Sequence, residues 1–278
     1  MTDPSAVPSL DSFTGTLTLA GAGKMGGAML AGWLAGGLAP ERVAVIEPSP
    51  SDEIRALAQR GLKLNPVADN LGVADIVVLA VKPQTFGEAA PALRALVAPS
   101  TLVLSIMAGR TIGGIAKACG GAVVRAMPNT PAAIGRGMTV AVGAPTVTPA
   151  QRALATALLA ATGRVEWVED ESLMDAVTAV SGSGPAYVFL LAEELARAGI
   201  AAGLPEALAM TLARETMAGA GELMHRSPLD AATLRQNVTS PGGTTAAALA
   251  VLMGEPGLRE LMARAVAEAT RRSRDLAS

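Results

Sequence analysis

Two short stretches of this 278-residue chain hold residue types at spacings that could do chemistry. The first is Leu17-Thr18-Leu19-Ala20-Gly21-Ala22-Gly23-Lys24-Met25-Gly26, a G-x-G-x-x-G pattern. A β-rich apolar run precedes it and a helix-forming run follows, which is the context in which the pattern binds a dinucleotide. In that context Gly21 permits the tight turn, Gly23 lets the backbone approach a pyrophosphate, and Gly26 allows close helix–strand packing. The phosphates would lie at the helix N-terminus, where unpaired N–H groups favour negative charge. Glu47 ends the next β-rich run, about 20 residues on, where a carboxylate can bond the adenosine ribose hydroxyls. A carboxylate there repels a 2′-phosphate, so Glu47 leans toward NADH, while Ser49 and Ser51 offer hydroxyls that could still hold a phosphate. A solvated, silent Glu47 is the bland alternative.

The second stretch is Asn237-Val238-Thr239-Ser240-Pro241-Gly242-Gly243-Thr244-Thr245, ahead of an Ala-rich run. Ser240 reads as a helix cap, Gly242 and Gly243 expose backbone N–H groups at a helix start, and Thr244 and Thr245 add hydroxyls. Such a set suits a carboxylate. Two further β-rich runs end in polar, proline-fixed turns: Val81-Lys82-Pro83, and Arg125-Ala126-Met127-Pro128-Asn129-Thr130-Pro131. In open α/β sheets ligands sit outside the carboxyl ends of the strands, so both turns face the expected cleft. Lys82 could neutralise a pyrophosphate or pair with a surface carboxylate. Ser181-Gly182-Ser183-Gly184-Pro185 interrupts a helix with small residues, most simply as a kink that lets another element approach closely.

The elements that must position these residues fall into two kinds. Between residues 16 and 168, β-rich runs (16–20, 43–47, 75–81, 101–107, 122–126, 137–143, 164–168) alternate with helix-like segments. Ile76-Val77-Val78-Leu79-Ala80-Val81 is apolar throughout, as strands buried on both faces are. This alternation predicts a parallel, Rossmann-like dinucleotide-binding domain over 15–171, behind a loose extension over 1–14. Residues 172–278 hold no convincing strand and read as an all-helical domain, with Pro205, Pro228, Pro241 and Pro256 separating helices. Its core is thin for its size, which predicts packing against a second copy of itself.

Composition removes several chemistries. One histidine (His225) and one cysteine (Cys119) cannot build a zinc cluster or a disulfide, so no metal site is expected, and one thiol suits a cytoplasmic setting. A net charge of −2 argues against nucleic acid. The apolar stretches at 25–40 and 176–192 are broken by Gly and Pro, short of the roughly 20 apolar residues of a spanning helix. Residues 1–14 lack the pattern of a signal peptide. A soluble protein is expected.

Taken in order, the G-x-G-x-M-G start, Val-Lys-Pro-Gln, Met-Pro-Asn-Thr-Pro, Ser-Gly-Ser-Gly-Pro-Ala-Tyr and Thr-Ser-Pro-Gly-Gly-Thr-Thr strongly resemble Δ1-pyrroline-5-carboxylate reductase, from about residue 16 to 276. The resemblance implies NADPH- or NADH-dependent reduction of the cyclic imine pyrroline-5-carboxylate to L-proline, the last step of proline synthesis. It implies that Ala20, Gly21, Ala22, Gly23, Lys24, Met25 and Gly26 line the pyrophosphate, and that Ala80, Val81, Lys82 and Pro83 with Ile106, Met107 and Ala108 flank the nicotinamide half. Ser240, Gly243 and Thr244 would hold the substrate carboxylate, with the Thr245 hydroxyl at the ring nitrogen as the catalytic group. It further implies a homodimer whose helical domains complete the partner's site, often assembled into a decamer. Glu47 departs from the small or hydroxyl residue common there in NADPH-preferring members.

Two other readings stand beside it. A β-hydroxyacid-type dehydrogenase would resemble this layout but uses a lysine on the helical half, and the lysines here are Lys24, Lys63, Lys82 and Lys117. A non-enzymatic dinucleotide-binding sensor would need the glycine loop and not the 240–245 pocket.

Overall fold

Alternating side chains along the apolar runs have to be buried on two sides, and the computed structural model, which describes residues 10–67 and 71–277, shows how. Strands β1 (Leu17–Ala20), β2 (Val43–Ile46), β3 (Lys63–Leu64), β4 (Ile76–Leu79), β5 (Leu102–Ser105), β6 (Ala122–Met127), β7 (Gly137–Gly143) and β8 (Gly163–Trp167) form one sheet. Their order is β3-β2-β1-β4-β5-β6-β7-β8. Leu17, Leu19, Ile76, Val78, Leu102 and Leu104 point into one layer with Met29, Leu30, Trp33 and Leu158. The intervening Val77, Leu79 and Val103 point into the other, with Phe86, Leu93 and Ile115. Each such side chain contributes about 1.5–3 kcal/mol by leaving water. Helices α1 (Lys24–Ala35), α2 (Asp52–Ala58), α3 (Phe86–Arg94), α4 (Ile112–Cys119) and α5 (Pro149–Ala160) supply the covering layers. Trp33, fully buried on α1, donates its indole N–H to Leu158 O on α5 at 2.7 Å.

The structure corrects the sequence reading in several places. The sheet is not wholly parallel: β6 and β7 pair antiparallel, Val124 opposite Gly143 and Met127 opposite Val140. Residues 128–136 are too few for a parallel crossover, which takes a dozen or more. The strand β3 was not expected, because two residues leave no periodicity to read. The runs at 75–81 and 101–107 are strand only to Leu79 and Ser105, and the remainder forms the turns at the ligand end. Residues 10–14 are docked rather than loose: Leu10 is buried, its N–H donates to Gly36 O at 2.7 Å, and Thr14 O accepts from Arg42. Residues 1–9 of the expected extension lie outside the described residues.

The chain divides into two compact units, Met1–Gly182 with Thr270–Ser278, and Ser183–Ala269. The first ends in a short helix, α6 (Met174–Val177), and a π-helical turn (Thr178–Gly182). The second is built of α7 (Gly184–Ala201), α8 (Glu206–Arg226), α9 (Ala231–Asn237), α10 (Thr244–Leu252) and most of α11 (Leu258–Ala277). Pro205 precedes α8 and Pro241 precedes α10, as the proline spacing predicts. α7 and α8 pack closely because the contact is made of small residues: Ala196, Ala209 and Ala213 are buried, and Gly199 lies against Ala209. Val188, Phe189, Leu190, Leu195, Leu212 and Met253 remain exposed on this unit.

Candidate functional site

The turn after β1 is built by glycine where nothing else fits. Gly21 has φ +89°, and a Cβ there would lie 2.6 Å from Ala80 O. A Cβ on Gly26 would lie 2.2 Å from Gly21 O, so helix and strand approach as closely as the spacing implies. Gly23 is different: nothing among the described residues lies within 4 Å of where its Cβ would stand. Sterics within the chain therefore do not demand glycine at this position, whereas an approaching phosphate would. Gly23 is the N-cap of α1, no side chain caps the helix, and no acidic residue occupies its first turn. By contrast, Ser51, Thr111 and Thr148 cap α2, α4 and α5 with their own hydroxyls. An open groove of about 970 Å³ runs between α1 and α2, with Ala22, Gly23, Lys24, Ser49 and Ser51 at its loop end. These residues fit a dinucleotide pyrophosphate.

Glu47 is half-buried, and both of its carboxylate oxygens are engaged. One carboxylate oxygen accepts the Ala22 N–H at 2.8 Å and the other the Ser49 N–H at 2.9 Å. Asn65, the one described non-glycine residue with positive φ, fixes Glu47 from its other side: its amide oxygen accepts the Glu47 N–H at 2.8 Å, and its NH₂ donates to Glu47 O at 2.9 Å. The carboxylate thus pins the glycine loop to the turn after β2. Each of its oxygens retains a second lone pair for a ribose hydroxyl. This contact with the glycine loop was not legible in the sequence, because a side chain bonding the backbone of another loop leaves no pattern.

The remaining residues expected near the cofactor lie at the ends of β4 and β5. Lys82 is exposed and forms no ion pair among the described residues. Met107 is buried in the core layer with Val77, Leu79 and Val103, while Ala108 is exposed. Burial pushes the Cys119 thiol up, against a smaller opposing effect of Arg94, in keeping with an inert core residue. No cluster of His, Cys, Asp and Glu that could hold a metal occurs among the described residues.

In the helical unit, Gly242 takes φ +72° and Gly243 is the N-cap of α10, with no side-chain cap. Ser240 is therefore not the cap that the sequence suggested. Gly243 N–H donates to Ser240 O at 3.1 Å, and a Cβ on Gly243 would lie 2.6 Å from Ser240 Oγ. The hydroxyl thus stands beside an uncapped helix start without being consumed by it. Neither the Thr244 nor the Thr245 hydroxyl is hydrogen-bonded among the described residues. Free N–H groups and three nearby hydroxyls can receive a carboxylate.

Two joints were only partly legible. Asn129 accepts the Met138 N–H at 2.8 Å and donates to Ser181 O at 3.3 Å, tying the proline-rich turn to the π-helical turn. A Cβ on Gly182 would lie 2.6 Å from Met127 Cε, which bears out the kink as a site of close approach.

Comparison with known proteins decides the family. Residues 171–276 match the pyrroline-5-carboxylate reductase dimerisation domain, and residues 16–109 match a family described as NADP oxidoreductase, coenzyme F420-dependent. The pyrroline-5-carboxylate reductase of Synechocystis is 43% identical over 94% of this chain and 97% of its own length. The chain belongs to the pyrroline-5-carboxylate reductase family. The Pseudomonas aeruginosa reductase is 36% identical over 95% of this chain and 97% of its own length. The Coxiella burnetii reductase structure superposes with TM-score 0.87 at 35% identity, covering 95% and 99% of the two chains. The Plasmodium falciparum reductase, solved with NADP bound, superposes with TM-score 0.77 at 29% identity, covering 95% and 99%. Both halves of this reductase architecture are therefore present, a Rossmann-like domain and a helical dimerisation domain.

Proposed function

We propose that this chain uses NADPH or NADH to reduce the cyclic imine 1-pyrroline-5-carboxylate to L-proline, the last step of proline biosynthesis. The observation that carries this reading is the uncapped start of α10 with Ser240 beside it, within the segment matching the reductase dimerisation domain. A sensor that merely bound a dinucleotide would have no use for it. A β-hydroxyacid-type dehydrogenase would need a lysine on the helical half, and no lysine follows Lys117.

The roles divide by chemistry. The N–H groups at the start of α1, from Gly23 to Gly26, would bind pyrophosphate, with Lys24 and Lys82 adding positive charge. Glu47 would bind the adenosine ribose and disfavour a 2′-phosphate, and Ser49 and Ser51 would oppose that preference. The turns 80–83 and 106–108 would hold the nicotinamide half. When bound, the cofactor supplies the hydride. Ser240, Gly243 and Thr244 would orient the substrate through its carboxylate, and the Thr245 hydroxyl would hold or relay a proton at the ring nitrogen. An iminium brings its own proton, so positioning does most of the work. This accords with a chain so poor in histidine.

The dimerisation domain suits a homodimer, and we extend this to assembly as a decamer. A single buried thiol fits a reducing, cytoplasmic setting. No helix among the described residues is long and apolar enough to cross a membrane. Oxidation of NADH or NADPH on adding pyrroline-5-carboxylate tests the activity; no turnover with either would remove the assignment.

A further inference from the structure

The guanidinium of Arg110 joins two loops that the sheet itself leaves separate. β4 and β5 are parallel neighbours, and their last ladder bond runs from Ile106 N–H to Leu79 O at 3.0 Å. Beyond it one chain turns through Val81, Lys82 and Pro83, and the other through Met107, Ala108 and Gly109. Arg110 reaches back across the gap, and its Nη2 donates to Pro83 O at 2.7 Å. Its guanidinium carbon stands 5.9 Å from the centre of the Phe86 ring, at the start of α3. The Nε–H is buried and has no acceptor among the described residues. A buried donor left unpaired is a cost that an apolar side chain of the same length would avoid. What arginine offers here and methionine cannot is the bond to Pro83 O. The second loop is also supported from behind, because Gly109, at φ +68°, brings its Cα so close to the end of α11 that a Cβ would lie 3.2 Å from Leu276 O.

We propose that Arg110 is a positioning residue that sets the spacing of the 81–83 and 106–109 loops, and through it the seat of the nicotinamide half of the cofactor. This rests on the assignment of those two loops to the nicotinamide half. Arg110 touches neither substrate nor cofactor in this account. A small displacement of a reacting group is expensive in rate, about 100-fold for about 1 Å. The adenosine half, held by the glycine loop and Glu47, is untouched by the clamp.

The test compares wild type, Arg110→Met, which keeps length but not the donor, and Arg110→Lys, which restores a donor. In cofactor-free protein, Arg110→Met should speed amide hydrogen exchange in residues 81–86 by at least about fivefold and leave residues 17–30 unchanged. ADP-ribose, which lacks the nicotinamide, should bind within about twofold of wild type, whereas kcat with NADH should fall about tenfold or more. The primary isotope effect from 4-deuterated NADH should rise, and Arg110→Lys should recover most of both losses. If Arg110→Met does not fold, Arg110→Gln, too short to reach Pro83, takes its place. Unchanged exchange at 81–86, equal loss of ADP-ribose and NADH affinity, or a lysine variant no better than methionine would each overturn the proposal. Wild type without turnover on pyrroline-5-carboxylate would instead count against the proposed reaction, while the exchange result would still report on the clamp.

Discussion

Thr245 and Glu47 bear the heaviest chemical assignments, and each can be tested by removing little more than one functional group. Thr245→Ala keeps the helix start and deletes the hydroxyl. Turnover should fall about tenfold or more, while cofactor affinity stays within about twofold in direct titration. An unchanged rate would take Thr245 out of the reaction. Glu47→Gln removes the charge yet keeps an amide oxygen able to accept either the Ala22 or the Ser49 N–H. The ratio of kcat/KM for NADPH to that for NADH should rise at least about tenfold, since a carboxylate beside a phosphate is repelled. Glu47→Ser should make the same shift but also lower the melting temperature, because it leaves the Ala22 N–H unpartnered. At this scale the sequence was informative where spacing carries the message, as in Gly21, Gly23, Gly26 and Glu47. It was silent on Arg110 and Asn65, whose partners lie in other loops and follow no local pattern.

A pair of glycines in one element separates packing from binding. In α1, Gly26→Ala would place a methyl 2.2 Å from Gly21 O and should destabilise the fold by about 1–3 kcal/mol in denaturant unfolding. Gly23→Ala meets nothing among the described residues within 4 Å, so its stability should match wild type while cofactor affinity falls about tenfold. If the two variants lose stability alike, the loop is not shaped for a ligand. The strands buried on both faces were readable as continuous apolar runs. Their ends were not, because Ala80-Val81 and Ile106-Met107 are as apolar as the strands they follow. The antiparallel turn of β7 was hidden for another reason: composition does not encode direction, and only the shortness of residues 128–136 could have revealed it. Ser240 as a cap failed because Gly243 stands closer to the helix start and needs no side chain.

On the scale of the whole molecule, the unit Ser183–Ala269 has little interior of its own. Its buried apolar residues are alanines, while Phe189, Leu190 and Leu212 are exposed. Such a surface on a dimerisation domain predicts a dimer, or a multiple of dimers, in light scattering at micromolar concentration; a stable monomer would contradict it. The thinness of this core was legible from the Ala-rich composition. How many dimers assemble was not, because assembly beyond the pair depends on surface shape rather than on patterning. The central claim is more directly tested by chemistry than by mass. Purified protein is mixed with NADH or NADPH, pyrroline-5-carboxylate is added, and cofactor oxidation is followed together with the appearance of L-proline. Stoichiometric conversion is the expected result, and cofactor binding with no turnover by either nucleotide would contradict the account.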